Sequence, residues 1–130
     1  HLGAQRPLVV GDRLDTDILG GNNAGFATAM VLTGVDTPQT ALAARTQERP
    51  AYLIANLDEL YRPYPEVETA DGVSRCGAAV ARVNGDTVEI TGESTDLDSW
   101  RAACAAWWNA RPHEEKATAP VLSWTVTAGG

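Results

Sequence analysis

The chain has 130 residues, 44% of them hydrophobic, with ten basic and seventeen acidic side chains and a net charge of −7. That length suits one or two small domains with a modest core, and the acidic balance excludes a nucleic-acid partner, which needs clustered Lys and Arg. No apolar run approaches the roughly 20 residues of a membrane helix, and two cysteines without CxxC spacing point to free thiols in a reducing, cytoplasmic setting.

The first predicted element is a parallel strand over Pro7–Val10, closed by a tight turn at Gly11. Three aspartates follow within six positions: Asp12, Asp15 and Asp17. Carboxylates at that density repel one another and resist burial, so their placement at a strand exit calls for a compensating charge, best supplied by a hard divalent cation. Ligands of open α/β sheets bind at the carboxyl ends of strands, which aims Asp12 into a site. Thr16 reads as the N-cap of a helix that holds Asp17 in its first turn and ends at Gly25. Gly20 and Gly21 fit a close approach of this helix to the sheet, with Asn22 and Asn23 facing water. A second strand is expected over Ala27–Leu32, a helix capped by Thr37-Pro38 through the stretch TALAARTQ, a third strand over Tyr52–Ala55, and a helix LDELY capped by Asn56. This alternation predicts right-handed parallel crossovers.

The segment GDRLDTDILGGNNAG resembles the fourth motif of the haloacid-dehalogenase (HAD) superfamily phosphatases, in their IIA subgroup. The likeness continues through ATAMVLTGV and PAYLIANLDEL, about half the chain. It implies that Asp12 coordinates Mg²⁺, that Asp17 is the second acid of the motif, holding metal waters or a lysine, and that Asp15 stays off the metal. HAD phosphatases attack phosphorus with an aspartate in a DxDxT-like motif and form an aspartyl-phosphate. No such motif occurs here, nor the Ser/Thr and Lys of two further motifs; Lys116 lies downstream. The resemblance therefore casts the chain as the carboxyl-terminal portion of a Mg²⁺-dependent phosphatase, inactive alone, whose nucleophile, remaining core and substrate-selecting cap lie upstream. It implies a small phosphomonoester as substrate, glycerol 3-phosphate ahead of phosphoglycolate, and leaves a homodimer open. The open edge of the first strand should then be covered by that upstream part, by another copy, or by rearrangement.

Residues 62–72, RPYPEVETADG, read as a linker. Beyond them the alternation is antiparallel, with Val80, Val83, Val88 and Ile90 as apolar markers around the hairpin signal Asn84-Gly85-Asp86. Thr95 and Asp98 resemble a capping box that opens a helix whose stripe is Leu97, Trp100, Ala103, Cys104, Trp107 and Trp108. PVLSWTV reads as a last strand. The tryptophans fit core packing against the hairpin, or a docking surface. Element order and the AAxWW helix give residues 70–127 a looser resemblance to an acetyltransferase-like (GNAT-like) appendage. The Gly-rich pyrophosphate turn of true acetyltransferases is missing, which implies lost acyl transfer.

The fold class expected is α/β: a partial Rossmann-like HAD core of parallel strands with helices over residues 1–68, followed by a small α+β, GNAT-like domain over 69–130. Arg13 is open to two uses, neutralising a phosphate or pairing with Asp15 or Asp17. His113, beside Glu114 and Glu115, lacks neighbours for a metal or base role and reads as a solvated loop. The alternative to the enzyme is a non-enzymatic binding or oligomerisation module with the tryptophan helix as its working surface.

Overall fold

The computed structural model describes residues 7–32 and 35–126 and divides into two compact units. The first comprises the chain to Tyr64 together with His113–Thr118; the second comprises Pro65–Pro112 and the residues from Ala119 onward. Part of the VLTG stretch, positions 33 and 34, lies outside the described residues. Among the described residues, no helix is long and apolar enough to cross a membrane.

The first unit is built on a three-stranded parallel sheet in the order β1 (Leu8–Gly11), β2 (Ala27–Val31), β3 (Tyr52–Ile54). β2 is central and its Ala29, Met30 and Val31 are buried, whereas β1 is half-buried along its length and pairs only with β2 among the described residues. One apolar cluster joins Ala29, Val31 and Ile54 to Leu8, Val10, Tyr52, Leu60 and Tyr64. Tyr52 and Tyr64 meet edge to face at 4.9 Å, and the Tyr64 hydroxyl accepts the Leu53 amide at 2.9 Å.

After β1 the chain makes a π-helical turn, Leu14–Ile18, that runs into α1 (Leu19–Asn23). α1 ends as expected: Gly25 has φ +80, its amide donates to the Asn22 carbonyl, and the Phe26 amide reaches back to Gly21, a Schellman closure. Of the paired glycines only Gly21 serves close packing. A Cβ there would lie 2.6 Å from Thr28 Cγ2 and 3.0 Å from Val9 Cβ, whereas at Gly20 nothing lies within 4 Å. Asn22 does not face water: its Nδ2 donates to the Gln47 and Arg49 carbonyls and its Oδ1 accepts from Thr28 Oγ1 at 2.9 Å.

α2 (Pro38–Ala43) opens on a reciprocal capping box between Thr37 and Thr40, but stops at Ala44, short of the expected helix, where the backbone turns extended. One 3₁₀ turn, Thr46–Glu48, follows. The LDELY helix is likewise a 3₁₀ stretch, Leu57–Tyr61, which Asn56 does not cap with its side chain. His113 is exposed in an irregular stretch, as expected, and the stretch His113–Thr118 is tied to the first unit. Thr46 and Glu114 exchange hydrogen bonds, and the Thr118 amide donates to Ala43, so backbone bonds bind it to the first unit.

The second unit is a five-stranded sheet, β4 (Val67–Ala70), β5 (Val73–Cys76), β6 (Ala79–Asn84), β7 (Thr87–Thr91) and β8 (Val121–Thr125), in sequential order. β4 to β7 form an antiparallel meander, and β8 returns parallel to β7 after α3 (Leu97–Ala110). The expected linker contains β4, and the expected boundary after residue 68 falls inside that strand; the units part at Tyr64 instead. The missed signal is Asp71-Gly72, both at positive φ, the two-residue turn favoured in hairpins. The β6–β7 hairpin turns at Gly85-Asp86, as expected.

α3 packs its small and indole side chains onto the meander. Trp100, Ala103, Cys104 and Trp107 of the expected stripe are buried, while Leu97 and Trp108 are half-buried. Its N-cap is Asp96, whose side chain accepts the Asp98 amide, in place of the expected Thr95–Asp98 box. On β6 the buried residues are Ala79 and Ala81, while Val80 and Val83 are half-buried. Trp100 stacks edge to face with Trp124 at 5.1 Å and Arg111 lies 4.6 Å above Trp107. Both cysteines are buried thiols outside any disulfide. Burial and a hydrogen bond to Asp98 at 3.3 Å push the Cys76 thiol up to about 12, which leaves it protonated and unreactive at neutral pH.

Candidate metal centre

Val10, Gly11, Asp12, Asp17, Val31 and Leu57 line one cleft of about 340 Å³ at the carboxyl ends of β1 and β2. Asp12 follows the last residue of β1, and the π-helical turn curls back so that Asp17 Oδ2 accepts the Asp12 amide at 3.3 Å. The two expected site carboxylates therefore share a wall. Asp15 does not join them. It is exposed and bound by Arg13 through two hydrogen bonds of 3.2 Å, which hold its carboxyl below the usual range. Of the two uses open to Arg13, the structure shows the ion pair.

Gly11 is not a turn residue but the end of β1, and its role is steric. A Cβ there would stand 2.2 Å from Asp17 Cβ and 2.5 Å from its Cγ and Oδ2. Only a bare backbone lets the turn bring Asp17 beside Asp12. Thr16 lies inside the π-helical turn and caps nothing; the residue before that turn is Arg13, extended and without a capping side chain. The Gly11→Ala protein should lose about 1–3 kcal/mol, the usual cost of overpacking. Gly20→Ala, on open ground in α1, should gain up to about 1 kcal/mol of helix propensity. Thermal denaturation of the two variants checks the contrast.

The donor set suits a hard cation. Mg²⁺ keeps several waters and takes only one or two protein carboxylates, which the cleft supplies in Asp12 and Asp17. Among the described residues no cluster of three or more His, Cys, Asp or Glu could hold a metal by itself. His113, Glu114 and Glu115 border a separate shallow depression with Thr46 and Gln47.

Residues 1–60 match the HAD-hydrolase-like family. Among curated proteins, the chain is 38% identical over 112 residues to the D-glycerol 3-phosphate phosphatase of Mycobacterium tuberculosis, covering 80% of this chain and 31% of that one. Human chronophin is 42% identical over 66 residues, covering 51% of this chain and 20% of chronophin. The crystal structure of a glycerol phosphate phosphatase from M. tuberculosis in complex with magnesium superposes with a TM-score of 0.70 at 32% identity, over 93% of this chain and 34% of that one. Its complex with calcium gives a TM-score of 0.66 at 33% identity. The chain thus spans about a third of its mycobacterial relatives and about a fifth of chronophin. The mycobacterial match, at 112 residues, runs well past the HAD-like segment into the second unit.

Proposed function

We propose that this chain is the metal-binding portion of a Mg²⁺-dependent HAD phosphomonoesterase whose nucleophilic aspartate and cap belong to another part of a longer polypeptide. The observation that carries the reading is the pairing of Asp12 and Asp17 on one cleft wall at the carboxyl rim of a parallel sheet. Asp12 would ligate the metal directly. Asp17, with one oxygen already engaged by the Asp12 amide, would orient metal-bound water or a lysine from the remainder of the protein. Bound Mg²⁺ would offset charge on the phosphoryl oxygens, the electrostatic help that phosphoryl transfer needs most. The name of the 38% identical relative supports glycerol 3-phosphate as substrate.

The second unit fits a GNAT-like appendage in its order, an antiparallel meander, a helix and a parallel strand. Its loop into α3 carries Glu93 and Asp96, and the helix begins with Asp98 in its first turn. Three acids there repel a pyrophosphate, which supports an appendage without acyl transfer.

Phosphate release from glycerol 3-phosphate, phosphoglycolate and 4-nitrophenyl phosphate by the complete protein, with Mg²⁺ and with chelator, tests the proposal. The expected result is Mg²⁺-dependent release with glycerol 3-phosphate fastest. Release unaffected by chelator would remove the metal reading, and no release from any ester would remove the enzyme.

A further inference from the structure

The π-helical turn that delivers Asp17 begins without a local cap. Arg13 precedes it in extended conformation and makes no side-chain hydrogen bond to its amides. Leu14, its first residue, nevertheless has a buried side chain and a bonded amide: it donates at 2.7 Å to Oδ2 of Asp36, 22 positions along the chain. The amide of Asp36 in turn points at the Asp12 carbonyl, at 3.4 Å. One residue thus grips both ends of the stretch Asp12–Leu14, accepting from one and donating to the other. The turn closes with the Ile18 amide on the Arg13 carbonyl at 3.1 Å. A carboxylate receiving a first-turn amide forms a charge-assisted bond and complements the positive end of the turn.

Asp36 does not line the Asp12–Asp17 cleft. It borders a different depression of about 400 Å³ with Arg13, Leu14, Asp15, Thr40 and Arg45. Apart from the through-space pull of its charge, which Asp36→Asn removes, its hold on a cation there runs through the backbone of residues 12–14. We propose that Asp36 is a positioning residue that caps this turn from a distance and fixes Asp12 and Asp17 for the metal. The inference rests on the phosphatase reading of the same cleft.

The test uses the complete protein and its Asp36→Ala and Asp36→Asn variants. Mg²⁺ binding is measured by calorimetry and amide exchange is followed at Leu14. Supporting groups behind metal ligands are worth about tenfold to a hundredfold in metal affinity. Asp36→Ala should weaken Mg²⁺ by that factor and expose the Leu14 amide to exchange. Asp36→Asn, whose amide oxygen can still accept from Leu14, should recover most of both. Phosphate release at saturating Mg²⁺ should return close to the parent rate. Unchanged Mg²⁺ affinity in a folded Asp36→Ala protein would overturn the assignment, as would an Asn variant no better than Ala. Should the parent bind Mg²⁺ yet hydrolyse no ester, weakened binding in Asp36→Ala would uphold the positioning role while the phosphatase reading fell. A parent that binds no Mg²⁺ would sink both.

Discussion

In the complete protein, Asp12→Asn should reduce Mg²⁺-dependent phosphate release by about two orders of magnitude or more, while its thermal midpoint stays close to that of the parent. The two parts of this expectation have separate causes. Asparagine has nearly the shape of aspartate, and residue 12 is half-buried on a cleft wall, outside the core of its unit. Changes at such positions alter stability by less than about 0.5 kcal/mol. Removing the carboxylate, however, takes one formal charge from the place where a dication would sit, and electrostatic groups of this kind carry several kcal/mol of barrier lowering. Asp15→Asn supplies the comparison. It lies three residues away in the same acidic run, yet its carboxylate is exposed and tied to Arg13, a solvent-screened surface pair. Its activity should match the parent's. Steady-state kinetics across a Mg²⁺ titration reads both variants, and an active Asp12→Asn protein would show that the cleft is not the metal site.

The largest loss of stability is expected in the second unit, from Trp107→Ala. The indole is 1% exposed and heads the fully buried side chains by volume among the described residues. Truncating a buried tryptophan costs about 3–5 kcal/mol, toward the upper end where the surroundings cannot collapse. Arg111 adds to it, since its guanidinium covers the indole while one nitrogen binds Asp86 at 2.6 Å, linking the end of α3 to the β6–β7 turn. Trp108→Ala, at a half-buried position on the same helix, should cost distinctly less. Urea denaturation with amide exchange on β6 and β7 measures the difference. Equal effects would mean that the helix does not pack on the meander through Trp107.

The first unit was legible where chemistry and period agree. The apolar run after Pro7, the acids behind it, the αL glycine at Gly25 and the Thr37-Pro38 start all have local causes, and each stands where the sequence puts it. What the sequence hid depends on tertiary partners. No local rule announces a π-helical turn, because its cap, Asp36, comes from another loop. Nor does the sequence separate a turn glycine at Gly11 from one whose missing side chain makes room for Asp17. The helix after Thr37 ends where the backbone turns extended at Ala44, and the LDELY stretch keeps its bounds but winds as 3₁₀. β4 was obscured by acids and prolines, although Asp71-Gly72 marked its hairpin. On β6 the buried positions are the alanines 79 and 81, which a hydrophobic pattern ranks below the valines beside them.

The return of His113–Thr118 to the first unit shapes how this protein can be dissected. A polypeptide cut off near Tyr64 would shed that segment and strip hydrogen-bond partners from Ala43 and Thr46. One starting at Pro65 would carry the same residues, 113–118, with nothing of their own to bind. Neither half is a contiguous gene fragment, so subcloning at a single junction yields two damaged pieces, and the units are better probed by substitutions within the unbroken polypeptide.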